Sequence, residues 1–121
     1  MSSLNSTQEN PLVSKSFNFS LQIVRICQQL QSGNNFVFAN QLLKSGTSIG
    51  ANIREAEYAE SRNDFVHKFK IALKEANETI YWIDLLYLSE YLSELEYETI
   101  YPKTKELIRI LTSIINTTKN K

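Results

Sequence analysis

Glycine, proline and cysteine are all scarce in this chain of 121 residues, which contains 3 Gly, 2 Pro and 1 Cys. So few turn-forming residues leave little room for an all-β fold with its many tight turns. The single cysteine, Cys27, excludes an internal disulfide and a thiolate-rich metal site. This cysteine usage predicts a reducing, cytoplasmic setting.

Long apolar runs are also missing, since none approaches the roughly 18 residues that a membrane-spanning helix needs. The first six residues lack the basic and apolar regions of a secretory signal. We therefore expect a cytoplasmic protein with no membrane partner. The length fits one domain, which we place at residues 10–118 after a flexible N-terminal segment, residues 1–9.

The chain has no net charge, because 13 basic residues offset 13 acidic ones. An obligate nucleic-acid binder usually carries a strong basic excess. The distribution is uneven, however. Residues 84–98 include five acidic residues and no basic one, whereas residues 103–121 include five basic residues and one acidic one. This pattern indicates either a molecule with an acidic and a basic region or two ordinary solvated faces.

Capping signals and apolar periodicity predict four helices joined by short loops. Asn10-Pro11, Ser61 and Ser93 are the predicted starts of the first, third and fourth helices. The predicted helices cover about residues 11–32, 36–58, 62–89 and 94–118. This pattern favours an all-α fold, an antiparallel up-down four-helix bundle. Pro102 lies inside the fourth helix and predicts a kink there or a break after its first two turns.

The second and third helices have predicted core stripes, and the first and third helices each carry apolar residues on two faces. The core stripes are Ala39, Leu42, Gly46, Ile49, Ile53 and Ala56 in the second helix and Phe65, Phe69, Ala72, Ala76, Ile80, Ile83 and Tyr87 in the third. The third helix has a second stripe of Ile71, Glu75, Glu78, Trp82 and Leu85. In the first helix, Phe17, Leu21 and Val24 form one apolar stripe, and Phe19, Ile23, Ile26 and Leu30 form another on roughly the opposite face. One bundle cannot cover this much apolar surface, so we predict a homo-oligomer.

Residues 45–53 place two glycines in a predicted helix, where each costs about 1 kcal/mol relative to alanine. An aromatic residue of the first helix, Phe17 or Phe19, packed over Gly50 would explain the small residue. A phosphate-cradling turn at Gly46 and Gly50 is the alternative, although no lysine occupies the required position. Beside the glycines runs a polar stripe that includes Ser45, Ser48 and Asn52.

Glu75 and Glu78 lie three residues apart on one helical face, and Glu75 is predicted to be level with Ser45. They would form either a polar pocket or a hydrogen-bonded ladder that fixes helix register. No nucleophile or phosphate loop accompanies them, and His67 alone cannot complete a metal site. We therefore expect no enzymatic activity, no metal and no cofactor.

Basic residues of the second and third helices are candidate phosphate contacts, and a solvated face is the alternative explanation. The candidates are Arg54, Arg62, Lys68, Lys70 and Lys74.

Three segments carry a family resemblance: residues 41–53, residues 70–79 and the pair Tyr81-Trp82. Together they resemble the bacterial four-helix-bundle proteins recognised in intervening sequences of 23S ribosomal RNA genes. The resemblance covers about residues 14–118. It implies a ring-like homopentamer without established enzymatic activity. A related branch, the accessory proteins of diversity-generating retroelements, binds nucleic acid and a reverse transcriptase through a strongly basic surface, from which the net charge of this chain departs.

These observations predict a homo-oligomeric scaffold or accessory protein whose partner is an RNA or a ribonucleoprotein. The alternative is a protein-interaction module that uses the acidic segment from Asp84 to Glu98.

Overall fold

The computed structural model describes residues 10–119, so the expected flexible segment, residues 1–9, lies outside the described residues. The described part consists of α1 (Pro11–Ser32), α2 (Phe36–Ala56), α3 (Arg62–Leu88) and α4 (Glu94–Lys119), with no strand among them. The predicted all-α class is confirmed. The largest difference in helix bounds is at the end of α2, which ends at Ala56 rather than Tyr58.

Side-chain caps begin three of the helices at the predicted residues. Asn10 Oδ1 accepts a hydrogen bond from the Leu12 N–H at 3.2 Å, and Ser61 Oγ accepts one from the Asp64 N–H at 3.0 Å. At the start of α4, the Glu96 N–H donates to Ser93 Oγ at 3.0 Å, and the Ser93 N–H donates to Glu96 Oε1 at 2.8 Å. This reciprocal pair is a capping box, which satisfies two backbone N–H groups at once.

The helices α1 and α3 end in the same way, with one residue in the left-handed conformation. Asn34 has a φ of 65° and Glu90 a φ of 68°. After Glu90, the Tyr91 N–H reaches back to the Leu86 carbonyl at 2.8 Å, which is the hydrogen bond of a Schellman motif. Asparagine tolerates this conformation, whereas glutamate rarely adopts it.

Each helix packs against its neighbours in sequence, and α1 also packs against α4, so the four close into an up-down bundle. The α1–α2 and α3–α4 connections therefore lie at the same end, which we call the double-loop end. The rings of Phe38 and Tyr91, 5.2 Å apart, join the two connections there. The α2–α3 connection defines the opposite, single-loop end.

The core confirms the predicted stripe of α2, since Ala39, Leu42, Gly46, Ile49, Ile53 and Ala56 are all buried. In α3 the prediction was wrong at three positions. Val66, Thr79 and Leu86 are buried, whereas Phe65, Ile80 and Tyr87 are half-buried. Thr79 is tolerated inside because its hydroxyl donates to the Glu75 carbonyl at 2.7 Å.

The helix α4 continues through Pro102 without interruption, so the predicted break does not occur. The kink at Pro102 stays a prediction. Within residues 10–119, no helix combines the length and apolar character needed to cross a bilayer.

Candidate interaction surfaces

The two glycines of α2 allow α1 to approach closely, but not through the aromatic side chains that the sequence suggested. A Cβ on residue 46 would lie 2.9 Å from Cγ2 of Ile23, and a Cβ on residue 50 would lie 3.2 Å from the Ser20 hydroxyl and 3.3 Å from the Ser16 carbonyl oxygen. The predicted packing of Phe17 or Phe19 over Gly50 was therefore wrong. The two glycines allow this close contact, and both lie inside the continuous helix α2, so no phosphate-cradling turn forms there.

Ser45 and Asn52, two residues of the polar stripe of α2, form hydrogen bonds within their own helix. Ser45 Oγ donates to the Leu42 carbonyl at 3.5 Å, and Asn52 Nδ2 donates to the Ser48 carbonyl at 2.9 Å. Among residues 10–119, no hydrogen bond joins Ser45 or Ser48 to Glu75. The predicted ladder between α2 and α3 is therefore absent, because these side chains bond to the preceding turn instead.

The second apolar stripes are the surfaces that the bundle leaves uncovered. Phe17 is 37% exposed and Leu21 41% exposed on α1. All five members of the α3 stripe are half-buried, namely Ile71, Glu75, Glu78, Trp82 and Leu85. The indole Nε1 of Trp82 approaches Glu78 Oε2 at 3.5 Å. An uncovered apolar strip is typical of a surface that a partner covers.

A shallow groove of about 400 Å³ separates α1 from α2 beside Gly50. Its lining includes Phe17, Ser20, Ala51 and Arg54. The guanidinium carbon of Arg54 lies 5.3 Å from the centre of the Phe17 ring, a cation–π contact. Arg54 therefore already covers part of the apolar stripe of α1.

The five candidate phosphate contacts divide into separate groups. Lys68 Nζ forms an ion pair with Glu55 Oε1 at 3.0 Å, and this hydrogen bond raises the pKa of Lys68. Lys74 is exposed further along α3. Arg54 stacks on Phe17, as described above.

Arg62 and Lys70, in contrast, line a cleft of about 510 Å³ between the start of α3 and the end of α4. The other lining residues are Asn63, Val66, His67 and Lys119. Lys119 is part of the basic region at residues 103–121. Its position follows from the up-down topology, which brings the last turn of α4 beside the first turn of α3.

A groove of about 750 Å³ lies between α1 and α4. Lys15 Nζ and Glu106 Oε2 form an ion pair across it at 2.9 Å, and Lys103 Nζ donates to Gln22 Oε1 at 3.1 Å. Both links are exposed, and exposed pairs contribute little stability. Two solvated side-chain links therefore bridge the groove.

Aromatic side chains of α3 and α4 stack near the double-loop end. The ring centre of Tyr97 lies 4.1 Å from that of Tyr87 and 5.0 Å from that of Tyr101. The Tyr97 hydroxyl donates to Asp84 Oδ1 at 3.0 Å. Partial burial, together with this carboxylate, raises the pKa of Tyr97 to about 12. This stack fixes α3 against the first turns of α4.

Residues 10–119 contain neither a metal-ligand cluster nor a reactive thiol. That part of the chain contains no cluster of three or more His, Cys, Asp or Glu residues that could hold a metal ion. Cys27 is 1% exposed, and burial raises the pKa of its thiol to about 12. A buried thiol with so high a pKa is a core residue rather than a nucleophile.

Comparison with known proteins agrees with this fold. The family described as "23S rRNA-intervening sequence protein" matches residues 8–113. The chain therefore belongs to the 23S rRNA-intervening sequence protein family. A comparison with curated proteins finds no match. Among solved structures, one match is a protein of unknown function from the S23 ribosomal protein family of Bacteroides thetaiotaomicron. It is 48% identical, with a TM-score of 0.83, over 86% of this chain and 97% of that one.

Proposed function

We propose that this protein is a non-enzymatic, cytoplasmic scaffold or accessory subunit that assembles with copies of itself. The observation that carries the proposal is the pair of uncovered apolar stripes on α1 and α3. A side chain such as Leu21, 41% exposed on a helix of a closed bundle, gains stability when a partner covers it. Covering both stripes requires a second molecule.

The arrangement of the stripes favours a ring over a simple dimer. A two-fold dimer uses the same patch on both copies, whereas a closed ring uses two different patches on each copy. The helices α1 and α3 occupy diagonal positions in the bundle, so their stripes are two distinct surfaces. Contact between the α1 stripe of one copy and the α3 stripe of the next would generate a ring, and the family resemblance favours a pentamer.

Light scattering and native mass spectrometry test this assembly. We expect the wild-type protein to have a mass of several 14.0 kDa chains. The substitutions Leu21→Glu and Leu85→Glu, one in each stripe, are expected to give monomers that keep their helical circular dichroism. Tyr58→Glu is a matched control, because Tyr58 is 83% exposed but lies outside both stripes. A monomeric wild-type protein at micromolar concentration would contradict the proposal.

Association with RNA or a ribonucleoprotein is a second proposed role, supported by the cleft that contains Arg62, His67, Lys70 and Lys119. The cleft brings basic side chains from two helices together, and phosphate contacts require this kind of clustering. We expect binding to structured RNA at about 50 mM salt, with an affinity that falls steeply as salt rises.

A pair of variants separates this role from nonspecific attraction. Lys70→Glu combined with Lys119→Glu is expected to abolish RNA binding. Lys44→Glu combined with Arg109→Glu makes the same change in net charge at exposed positions away from the cleft. Binding that is insensitive to salt, or that both double variants weaken equally, would remove the RNA role and leave the self-associating scaffold.

A further inference from the structure

The two ends of the bundle differ in charge. All 13 basic residues lie outside residues 26–43 and 75–102, the two segments that build the double-loop end. The first segment carries no charged residue, and the second carries seven acidic ones: Glu75, Glu78, Asp84, Glu90, Glu94, Glu96 and Glu98. The double-loop end is thus uniformly acidic, whereas the basic residues within residues 10–119 lie at the single-loop end and in the middle of the bundle.

Large apolar side chains are exposed at this same acidic end. Leu88 is 79% exposed and Leu95 is 75% exposed, on either side of the α3–α4 connection. Of the nine large apolar residues that are exposed in residues 10–119, five lie here, namely Phe36, Val37, Leu88, Tyr91 and Leu95. Single exposed apolar residues need no explanation, but a concentration at one end does.

The backbone beneath these side chains is held in a fixed shape. Leu92 is 4% exposed and anchors the α3–α4 connection in the core. The ring of Tyr91 packs against Phe38 of α2, so the two connections form one surface. The capping box of Ser93 and Glu96 fixes the start of α4. A surface that is already ordered loses little entropy on binding.

We propose that the double-loop end is a docking surface for a basic, amphipathic segment of another protein. Leu88, Leu95 and Val37 would receive its apolar side chains, while Glu90, Glu94 and Glu98 would face its lysines or arginines. Charge selects this occupant, because a uniformly acidic surface repels nucleic acid and anionic membranes. A second copy that offers the same end would also be repelled. The proposal is independent of self-association and of RNA binding.

The probe is a synthetic helical peptide with Leu on one face and Lys on the other, about 14 residues or four helical turns long. Binding to the full chain is followed by fluorescence anisotropy. A peptide of the same composition, scrambled so that it has no apolar face, controls for charge alone. A Leu and Glu peptide controls for apolar contact alone. We expect the amphipathic basic peptide to bind and both controls to bind at least about tenfold more weakly, a difference of 1.4 kcal/mol.

Variants of the protein locate the binding surface. Leu88→Ser combined with Leu95→Ser, and separately Glu94→Gln combined with Glu98→Gln, are each expected to weaken binding at least about tenfold. The matched controls lie at the single-loop end, where Glu57, Tyr58 and Glu60 are exposed. Tyr58→Ser, and Glu57→Gln combined with Glu60→Gln, are expected to change the affinity less than about twofold. Circular dichroism checks folding, and Val37→Ser replaces any variant that fails to fold.

Two results would overturn the proposal. Equal loss of binding in the single-loop-end variants would show that the peptide follows net charge alone. A lower mass for the Leu88 and Leu95 variant than for the wild-type protein would show that another copy of this chain covers the surface. Loss of self-association through Leu21→Glu, with peptide binding retained, would leave the docking surface intact.

Discussion

Ile23 of α1 lies directly against Gly46 of α2, with its Cγ2 only 2.9 Å and its Cγ1 only 3.0 Å from the position of a Cβ on residue 46. Ile23 is fully buried and β-branched, so its χ1 has little freedom to move away. Ser16 and Ser20 stand in a similar relation to Gly50, one turn further along α2. Small residues on both helices therefore set the distance between α1 and α2.

This contact predicts that Gly46→Ala destabilises the protein, although alanine is the better helix former by about 1 kcal/mol. The added methyl group forces Ile23 or the helices apart, which typically costs about 1–3 kcal/mol. Urea unfolding at a fixed protein concentration measures the change, because an oligomer's stability depends on concentration. Gln41→Ala, at an exposed position of the same helix, is expected to change the free energy of unfolding by less than about 0.5 kcal/mol.

A double-mutant cycle tests the cause. In an Ile23→Ala background, Gly46→Ala is expected to stabilise the protein, since the methyl groups that clash have been removed. If Gly46→Ala costs the same in both backgrounds, the contact with Ile23 is not what requires glycine at this position.

Replacing Pro102, unlike replacing Gly46, is expected to stabilise the protein. It lacks the N–H that would bond to the Glu98 carbonyl, and it lies at an exposed position inside α4. Pro102→Ala is expected to raise the free energy of unfolding by about 1–3 kcal/mol, measured by thermal or urea unfolding. Ser113→Ala, also exposed on α4, is the control. A loss of stability would mean that a bend at Pro102 contributes to the packing of the buried Ile100 and Thr104.

The left-handed conformation of Glu90, after α3, predicts that a substitution there can also stabilise the protein. Glu90 has a φ of 68°, a conformation that costs an L-residue roughly 1–2 kcal/mol and glycine almost nothing. Glu90→Gly is expected to stabilise the protein by about 1 kcal/mol, after the added entropy of the unfolded chain is subtracted. Asn34→Gly is a close control, because Asn34 occupies the same position after α1 but already tolerates it. Equal effects of the two substitutions would contradict this explanation.

Features encoded by neighbouring residues could be predicted from the sequence. The caps at Asn10, Ser61 and Ser93 depend on a side chain and the next few N–H groups, and the structure has all three. The α3 core could not be placed as well, because its buried residues follow the heptad spacing 69, 72, 76, 79, 83 and 86. The prediction instead assigned Ile80 to the core, because Ile80 is apolar and Thr79 is polar.

The candidate sites were harder to predict, because they depend on how the helices pack against one another. The level of Gly50 with respect to α1 was predicted closely, yet the rotation of α1 about its axis was not, so Phe17 and Phe19 were placed where Ser16 and Ser20 lie. The cleft at Lys70 and Lys119 brings together residues that are far apart in the sequence. The acidic segment was evident from composition, but its coincidence with exposed Leu88 and Leu95 required the structure.

The partial burial of Tyr97, together with its hydrogen bond to Asp84, makes the stability of the protein depend on pH in the alkaline range. The pKa of Tyr97 is about 12 in the folded protein, whereas it is about 10 in an unfolded chain. The folded state therefore keeps its proton where the unfolded state loses it. The contribution is fully present below about pH 10 and is lost as the pH rises towards about 12. We expect the free energy of unfolding to fall over this range more steeply in the wild-type protein than in Tyr97→Phe.

Near-ultraviolet absorbance of tyrosinate provides a direct reading of the same titration. The difference between the titrations of the wild-type protein and Tyr97→Phe is expected to show one hydroxyl that ionises near pH 12. Asp84→Asn keeps the hydroxyl but removes the negative charge beside it, so the pKa of Tyr97 should fall. Because desolvation by burial is the larger cause, the pKa of Tyr97 in Asp84→Asn should still exceed the ordinary value of about 10. A return to that ordinary value would assign the whole shift to Asp84.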